Sequence, residues 1–160
     1  MGRYHGNNIL ATTPALQAMG GTYKTSQEVL AQTTGIKRGF IYDITVGQSS
    51  VPASSDTYCE YDIARATATS TATASTPTAI DPADGAATSA SKINATAEGT
   101  VTANSTIWYK SINQRATYRW QAYDPAGRLV WPATNNAGAV LRGRSPGYTG
   151  NPATEWYFEE

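Results

Sequence analysis

The sequence predicts an all-β protein, an antiparallel β-sandwich or jelly-roll-like domain that follows an extended N-terminal arm. Short runs in which apolar residues alternate with polar ones recur along residues 36–160, at the spacing typical of sandwiches and barrels. Turn-forming Gly, Pro, Asn and Asp residues separate these runs. Only 15% of the residues are charged, while Thr, Ala, Ser and Gly are abundant, a composition that favours a β-rich protein over a helical one.

Residues 1–35 are predicted to form the arm. Glycine and proline interrupt this stretch repeatedly, and its apolar residues occur singly or in pairs, so it holds too little apolar surface to fold alone. Thr25 and Glu28 make a capping-box pattern that predicts one short helix over 26–32. We expect the arm either to stay disordered or to become ordered on a partner or a neighbouring copy. Its removal is expected to leave the domain folded.

Residues 36–160 are predicted to form the sandwich domain. The predicted strands lie at 36–47, 57–66, 100–113, 116–123, 128–131, 138–144 and 154–160. In the first, every second residue from Phe40 through Tyr42 to Val46 is apolar or aromatic, which predicts one buried face. In the second, Cys59 and its alternate neighbours face the core, so the intervening Glu60 and Asp62 face water.

Two connections in this domain are predicted from turn chemistry. The Thr- and Ala-rich stretch at 66–95 has almost no apolar bulk and is interpreted as a long surface loop. Asp-Pro-Ala-Gly at 124–127 is predicted to close a hairpin, which would place Tyr118 and Trp120 across from Trp131.

Charge and reactive side chains exclude several functional classes. Twelve basic and twelve acidic residues give a formal net charge of zero, whereas a protein that binds nucleic acid through phosphates is basic. No apolar run approaches the roughly 20 residues that span a bilayer. Cys59 and His5 are the only cysteine and histidine, so the chain lacks the material for a disulfide, a thiolate metal cluster or a histidine-dependent catalytic site. We predict no enzymatic activity, no catalytic residue, no cofactor, no metal site, and neither nucleic acid nor membrane as a partner.

Short motifs at 36–47, 81–84, 113–120 and 142–160 resemble, in the same order, a group of small structural proteins of tailed bacteriophages. These are capsid decoration, or cement, proteins, encoded close to the major capsid protein. The resemblance covers about 36–160 and implies a virion structural protein made in the host cytoplasm and located on the capsid exterior. It also implies that the major capsid protein is the partner, with neighbouring subunits cemented together. We further expect self-association into a homo-oligomer.

The candidate partner contacts are the spaced apolar residues of the arm and two arginines beside the aromatic strands. They are Tyr4, Ile9, Leu10, Leu16, Tyr23, Val29, Leu30, Arg142 and Arg144. Arginine together with aromatic residues is typical of protein interfaces. Two alternatives stay open: a glycan- or receptor-binding module on the virion that uses exposed Trp and Tyr, and a head-tail or tail-tube component.

Overall fold

The computed structural model describes residues 1–9, 18–33 and 36–160, which form twelve strands and one 3-10 turn at Pro125–Gly127. The strands are Arg3–Asn7 (β1), Lys24–Leu30 (β2), Gly39–Gln48 (β3), Tyr58–Ala66 (β4), Thr71–Ser75 (β5), Thr78–Ala79 (β6), Ala90–Ala97 (β7), Val101–Asn113 (β8), Tyr118–Gln121 (β9), Leu129–Trp131 (β10), Gly138–Arg144 (β11) and Pro152–Glu159 (β12). In these residues no helix is long and apolar enough to cross a bilayer.

The strands form two antiparallel six-stranded sheets, which confirms the predicted all-β sandwich. In the first sheet the order is β10-β3-β12-β1-β6, and β9 also pairs with β3. In the second sheet the order is β5-β7-β2-β11-β4-β8. The main core lies between them, because alternate residues of each strand point to the facing sheet.

Large side chains from both sheets fill this core. Trp131, Trp156 and Phe158 of the first sheet have no exposed surface, and neither do Tyr61, Ile63 and Leu141 of the second. The Trp131 and Phe158 rings meet edge to face with centroids 5.5 Å apart. Burying each such side chain stabilises the fold by about 1.5–3 kcal/mol, so these rings fix how the two sheets pack.

The described strands before residue 31, β1 and β2, belong to the sandwich, and an extended arm is not confirmed. β1 lies between β12 and β6, and β2 lies between β7 and β11. Tyr4 is 3% exposed, and Val29 and Leu30 have no exposed surface. The predicted helix over 26–32 is wrong, since β2 occupies residues 24–30.

The polar residues of β2 explain why the strand was missed. Gln27 and Glu28 are both 1% exposed. The Glu28 carboxylate accepts hydrogen bonds from the Thr69 hydroxyl at 2.7 Å and the Ser70 amide at 2.9 Å, while Gln27 Nε2 donates to Thr154 Oγ1 at 3.0 Å. A polar residue is buried at low cost only when such partners exist, and these partners are distant in the sequence.

A bulge in β3 changes which of its residues reach the core. Tyr157 pairs with Asp43 and Phe158 with Ile41, so Tyr42 is an extra residue in β3. An extra residue shifts the side-chain alternation by one. The predicted single face from Phe40 to Val46 is therefore wrong at its start: Ile41 is fully buried, whereas Phe40 and Tyr42 are half-buried.

The predicted hairpin around 124–127 is also wrong. β9 and β10 both pair antiparallel with β3, through Trp120 opposite Ile44 and Trp131 opposite Gly39. They therefore run in the same direction along one edge of β3, and residues 122–128 leave that edge as a turn. The Asp124 side chain accepts a hydrogen bond from the Gly127 amide at 2.9 Å, so the same turn chemistry interrupts one strand instead of reversing it.

The stretch at 66–95 is not one long loop, because it holds β5, β6 and the start of β7. The connection from β4 to β5 and the connection from β7 to β8 pack against each other on the outer side of the second sheet. The contact is close, since a Cβ on Gly99 would lie 2.3 Å from the Ala68 carbonyl oxygen. Beneath them a small second cluster of Leu30, Ala64, Ala66 and Val140 is buried.

Gly39 has no room for a side chain, because its Cβ would lie 1.8 Å from Cζ2 of Trp131. Gly39→Ala is expected to lower the free energy of unfolding by about 1–3 kcal/mol or more, since Trp131 would have to leave its place in the core. Gly85→Ala is the control, because nothing lies within 4 Å of that Cβ. Chemical denaturation would measure both, and equal effects would contradict the packing described.

Deleting residues 1–35 is now expected to prevent folding, because it removes β1 from beside β12 and β2 from beside β11. Near-ultraviolet circular dichroism should lose its native signal. Two point variants of the full chain give the same test without truncation. Val29→Asp should unfold the protein, because Val29 has no exposed surface, whereas Ile9→Asp should fold, because Ile9 is 50% exposed. A folded truncated protein would show that an arm does exist.

Candidate interaction surface

Opposite charges face each other across two neighbouring strands on the outer side of the second sheet. Glu60 and Asp62 lie two residues apart on β4, and Arg142 and Arg144 lie two residues apart on β11, so each pair shares one face. The strand register places Arg142 opposite Asp62 and Arg144 opposite Glu60. Directly opposite residues of an antiparallel pair are near neighbours, which brings each arginine to one carboxylate.

The pair of Arg142 and Asp62 is bidentate and nearly buried. Arg142 Nε donates to Asp62 Oδ1 at 2.9 Å, and Arg142 Nη2 donates to Oδ2 at 2.5 Å. The Asp62 side chain is 3% exposed, and its Oδ2 also accepts from the Thr106 hydroxyl at 3.1 Å. Arg144 Nε donates to Glu60 Oε2 in the second pair. Charge-assisted contacts of this kind hold both guanidinium groups in fixed positions.

The ring of Tyr23 contacts both guanidinium groups. Its centroid is 4.8 Å from the Arg142 guanidinium carbon and 4.7 Å from that of Arg144, which is cation–π geometry. Burial of the hydroxyl, followed by the nearby Asp62 carboxylate, raises the pKa of Tyr23. The segment that precedes β2 is thereby attached to β11.

Tyr109 completes the network from β8. Its hydroxyl donates to Glu60 Oε1 at 2.7 Å, so the ring leans over β4. This hydrogen bond raises the pKa of Tyr109 to about 12. The same hydrogen bond lowers the pKa of Glu60, and its effect is larger than that of the hydrogen bond from Arg144. Tyr109, and Tyr58 on the same face of β4, remain 51% and 49% exposed.

We call this surface the tyrosine–arginine face. It consists of Tyr23, Tyr58, Glu60, Asp62, Tyr109, Arg142 and Arg144. Its charges are balanced within the face, and hydrogen bonds, ion pairs and cation–π contacts hold every member except Tyr58, which shares the face through strand alternation. It therefore offers aromatic contact surface on a fixed base.

The face ends at the free edge of β8. This strand is the longest in the described residues, with 13 residues, and β4 is its neighbour on one side only. Asn113 is paired with Tyr58, so the next pair in the register is Gln114 with Thr57. This next pair is hydrogen-bonded, because the Gln114 amide donates to the Thr57 carbonyl at 3.0 Å. Because hydrogen-bonded positions alternate along an antiparallel pair, the backbone groups of Tyr109, Ser111 and Asn113 point away from β4.

The outer side of the first sheet also carries paired charges. Arg119 donates to both oxygens of Asp43, at 3.0 and 2.5 Å, and Arg128 contacts Glu159 at 2.5 Å. His5 Nε2 lies 3.4 Å from Glu155 Oε2 without hydrogen-bond geometry. Within the described ranges, no group of three or more His, Cys, Asp or Glu side chains is arranged to hold a metal ion.

The structure brings together three of the predicted contact residues: Tyr23, Arg142 and Arg144. Tyr4, Val29 and Leu30 lie in the interior, and Ile9 is half exposed just after β1. Leu10 and Leu16 lie outside the described residues. The sequence analysis missed Tyr58 and Tyr109. The sequence pattern that could have indicated this surface is the two-residue spacing of Glu60 and Asp62, which matches that of Arg142 and Arg144.

Comparisons with protein-family models, with curated protein sequences and with solved structures found no match to this chain. The resemblance to capsid decoration proteins therefore rests on the sequence motifs alone, and the function it implies stays a prediction.

Glu60 is expected to make the stability of the protein depend on pH. A carboxylate whose pKa is lowered by folding stabilises the folded state above its ordinary pKa of 4.5 and loses that effect as the pH falls through the lowered value. Glu60→Gln should therefore lower the free energy of unfolding at pH 7 by about 1–3 kcal/mol, and the difference from wild type should shrink below pH 4.5.

Denaturation at pH 7 and at acid pH would measure this difference. Asp56→Asn is the control, because its 72% exposed side chain makes only a surface ion pair with Arg115, worth about 0–1 kcal/mol. If Glu60→Gln and wild type had the same free energy of unfolding at every pH, the network would contribute nothing to stability.

Proposed function

We propose that this protein is a non-enzymatic structural protein of a virion, which binds the outer surface of a phage capsid and cements neighbouring major capsid protein subunits. The observation that supports this proposal is the tyrosine–arginine face beside the free edge of β8. Tyrosine and arginine are enriched among the residues that dominate the energy of protein interfaces.

The face suits docking because its side chains are already ordered. Binding costs free energy for every side chain that it immobilises. Here hydrogen bonds and ion pairs hold Tyr109 and both arginines before a partner arrives. The exposed ring of Tyr109 then supplies apolar contact area without a large loss of conformational freedom, and the exposed ring of Tyr58 adds to that area.

The charges of the face also indicate how binding should respond to salt. Glu60 and Asp62 neutralise Arg144 and Arg142 within the protein, so the face presents little net charge to a partner. Attraction between exposed charges weakens as salt screens it. Binding that depends on the aromatic rings should therefore change little with ionic strength.

Cementing follows from binding at a junction between capsid subunits. A copy that contacts two neighbouring subunits must be released before they separate, so its binding free energy adds to the stability of the assembled shell. The rigid sandwich transmits this restraint, because the core rings fix one sheet against the other.

The alternative of a glycan-binding module has less support. It depended on exposed Trp and Tyr, and only tyrosines are largely exposed, since Trp131 and Trp156 have no exposed surface. Trp108 and Trp120 are half-buried against the core. The remaining alternative, a head-tail or tail-tube component, differs from a cement protein in copy number and location on the particle.

Capsids of the encoding phage, assembled without this protein, provide the test. Added protein should bind in many copies over the capsid surface and raise the temperature of capsid disruption. Tyr58→Ala should weaken binding about tenfold or more, a loss of about 1.4 kcal/mol. Tyr123→Ala is the matched control, because Tyr123 is fully exposed on the turn before β10. Absence of wild-type binding, or a small ring of copies at the tail, would contradict the proposal.

A further inference from the structure

We propose that the free edge of β8 pairs with the same edge of a second copy of this chain, antiparallel, about a two-fold axis at Ser111. The result would be a dimer in which the second sheets of two copies join edge to edge. This inference goes beyond the proposed function, and it holds whether or not the protein binds a capsid.

The edge is free to accept a strand. The backbone groups of Tyr109 and Ser111 and the Asn113 amide point away from β4, and such groups form a template for another strand. The Asn113 carbonyl also accepts from the Ala116 amide at 2.9 Å. The Tyr109 hydroxyl reaches back to Glu60, so its ring leans over β4 and does not obstruct the edge.

The edge is complementary to itself. When Ser111 lies opposite Ser111 of the second copy, Tyr109 lies opposite Asn113 of the second copy, and the reverse holds. All three outward-pointing residues then occupy hydrogen-bonded positions, where each pair exchanges both of its backbone hydrogen bonds. The Asn113 carbonyl, which already accepts from the Ala116 amide at 2.9 Å, would accept the new bond with its second lone pair. A two-fold axis makes both copies use the same patch, as in most homodimers.

Neighbouring registers are poorer. Centring the pair on Tyr109 would use residues near Asn104, where the strand bends through a φ of 56° and the pairing with β4 shifts. Centring it on Asn113 would place Ser111 opposite Arg115 of the second copy, which lies in the turn beyond the end of β8. Ser111 is the centre that keeps all three pairs in the straight part of the strand.

The side chains in this register are compatible. Lys110 lies opposite Ile112 of the second copy, so no like charges meet directly across the pair. The Lys110 ammonium is already placed over the Tyr118 ring at 4.4 Å. Half-buried Trp108 and Ile112 gain cover. The formal net charge of zero leaves no overall repulsion between copies.

Engineered cysteines test the register directly. Cys59 has no exposed surface, so a new surface thiol is the reactive one. Cα atoms of a hydrogen-bonded antiparallel pair are about 5.5 Å apart, within the range of a disulfide. Under mild oxidation, Ser111→Cys should form a disulfide-linked dimer about tenfold or more faster than Ala126→Cys, an exposed control on the turn between β9 and β10 of the first sheet. Asn113→Cys should not cross-link to itself but should cross-link to Tyr109→Cys.

Proline provides a second test that does not use a cross-link. The Ser111 amide points to the free edge, so Ser111→Pro removes a hydrogen bond between copies and leaves the pairing with β4 in place. Light scattering should show a dimer for wild type and for Ser111→Ala. For Ser111→Pro it should show that the affinity between two copies is about tenfold or more weaker, while the circular dichroism spectrum stays unchanged.

Three results would overturn the proposal. One is a wild-type protein that stays monomeric at high concentration. Another is Ser111→Cys cross-linking no faster than the Ala126→Cys control. The third is Ser111→Pro abolishing capsid binding while leaving self-association unchanged, which would assign the edge to a capsid strand.

Discussion

The structure depends on β12 pairing with β1 on one side and β3 on the other. This places residues from both ends of the sequence in the middle of the first sheet, and the backbone hydrogen bonds continue to Gly2 and Glu160 at 3.0 and 3.1 Å. The buried Glu160 carboxylate then accepts from the Thr88 hydroxyl at 2.9 Å and the Ser89 amide at 3.1 Å. The same segment thus closes the first sheet and holds the connection that enters β7 of the second.

This closure determines which side of the second sheet meets solvent. Trp156 and Phe158 of β12 share one buried core with Tyr61 and Ile63 of β4. The strand alternation then turns Glu60 and Asp62 to the outer face, opposite Arg144 and Arg142. The tyrosine–arginine face is thus the reverse side of a well-packed core, which is why its residues are held so firmly.

Local pattern was sufficient for the fold class and for most strands of 36–160, because these strands bury one face and alternate accordingly. It failed where long-range partners decide the outcome. The buried Glu28 depends on Thr69 and Ser70, and the extra Tyr42 shows only in the register with β12. The candidate surface was partly predictable: alternation placed Glu60 and Asp62 in water, but only the pairing of β4 with β11 gives them their arginines.

Native-state hydrogen exchange tests the central claim most directly, which is that the first strand is part of the cooperative fold. The account predicts that the β1 amides bonded to β12 exchange as slowly as those of β12 itself, through global unfolding. Tyr4 and Phe158, which are paired in register, provide the comparison. Rapid exchange throughout β1 beside slow exchange in β12 and β3 would contradict it, and would show that the sandwich closes without its N-terminal strand.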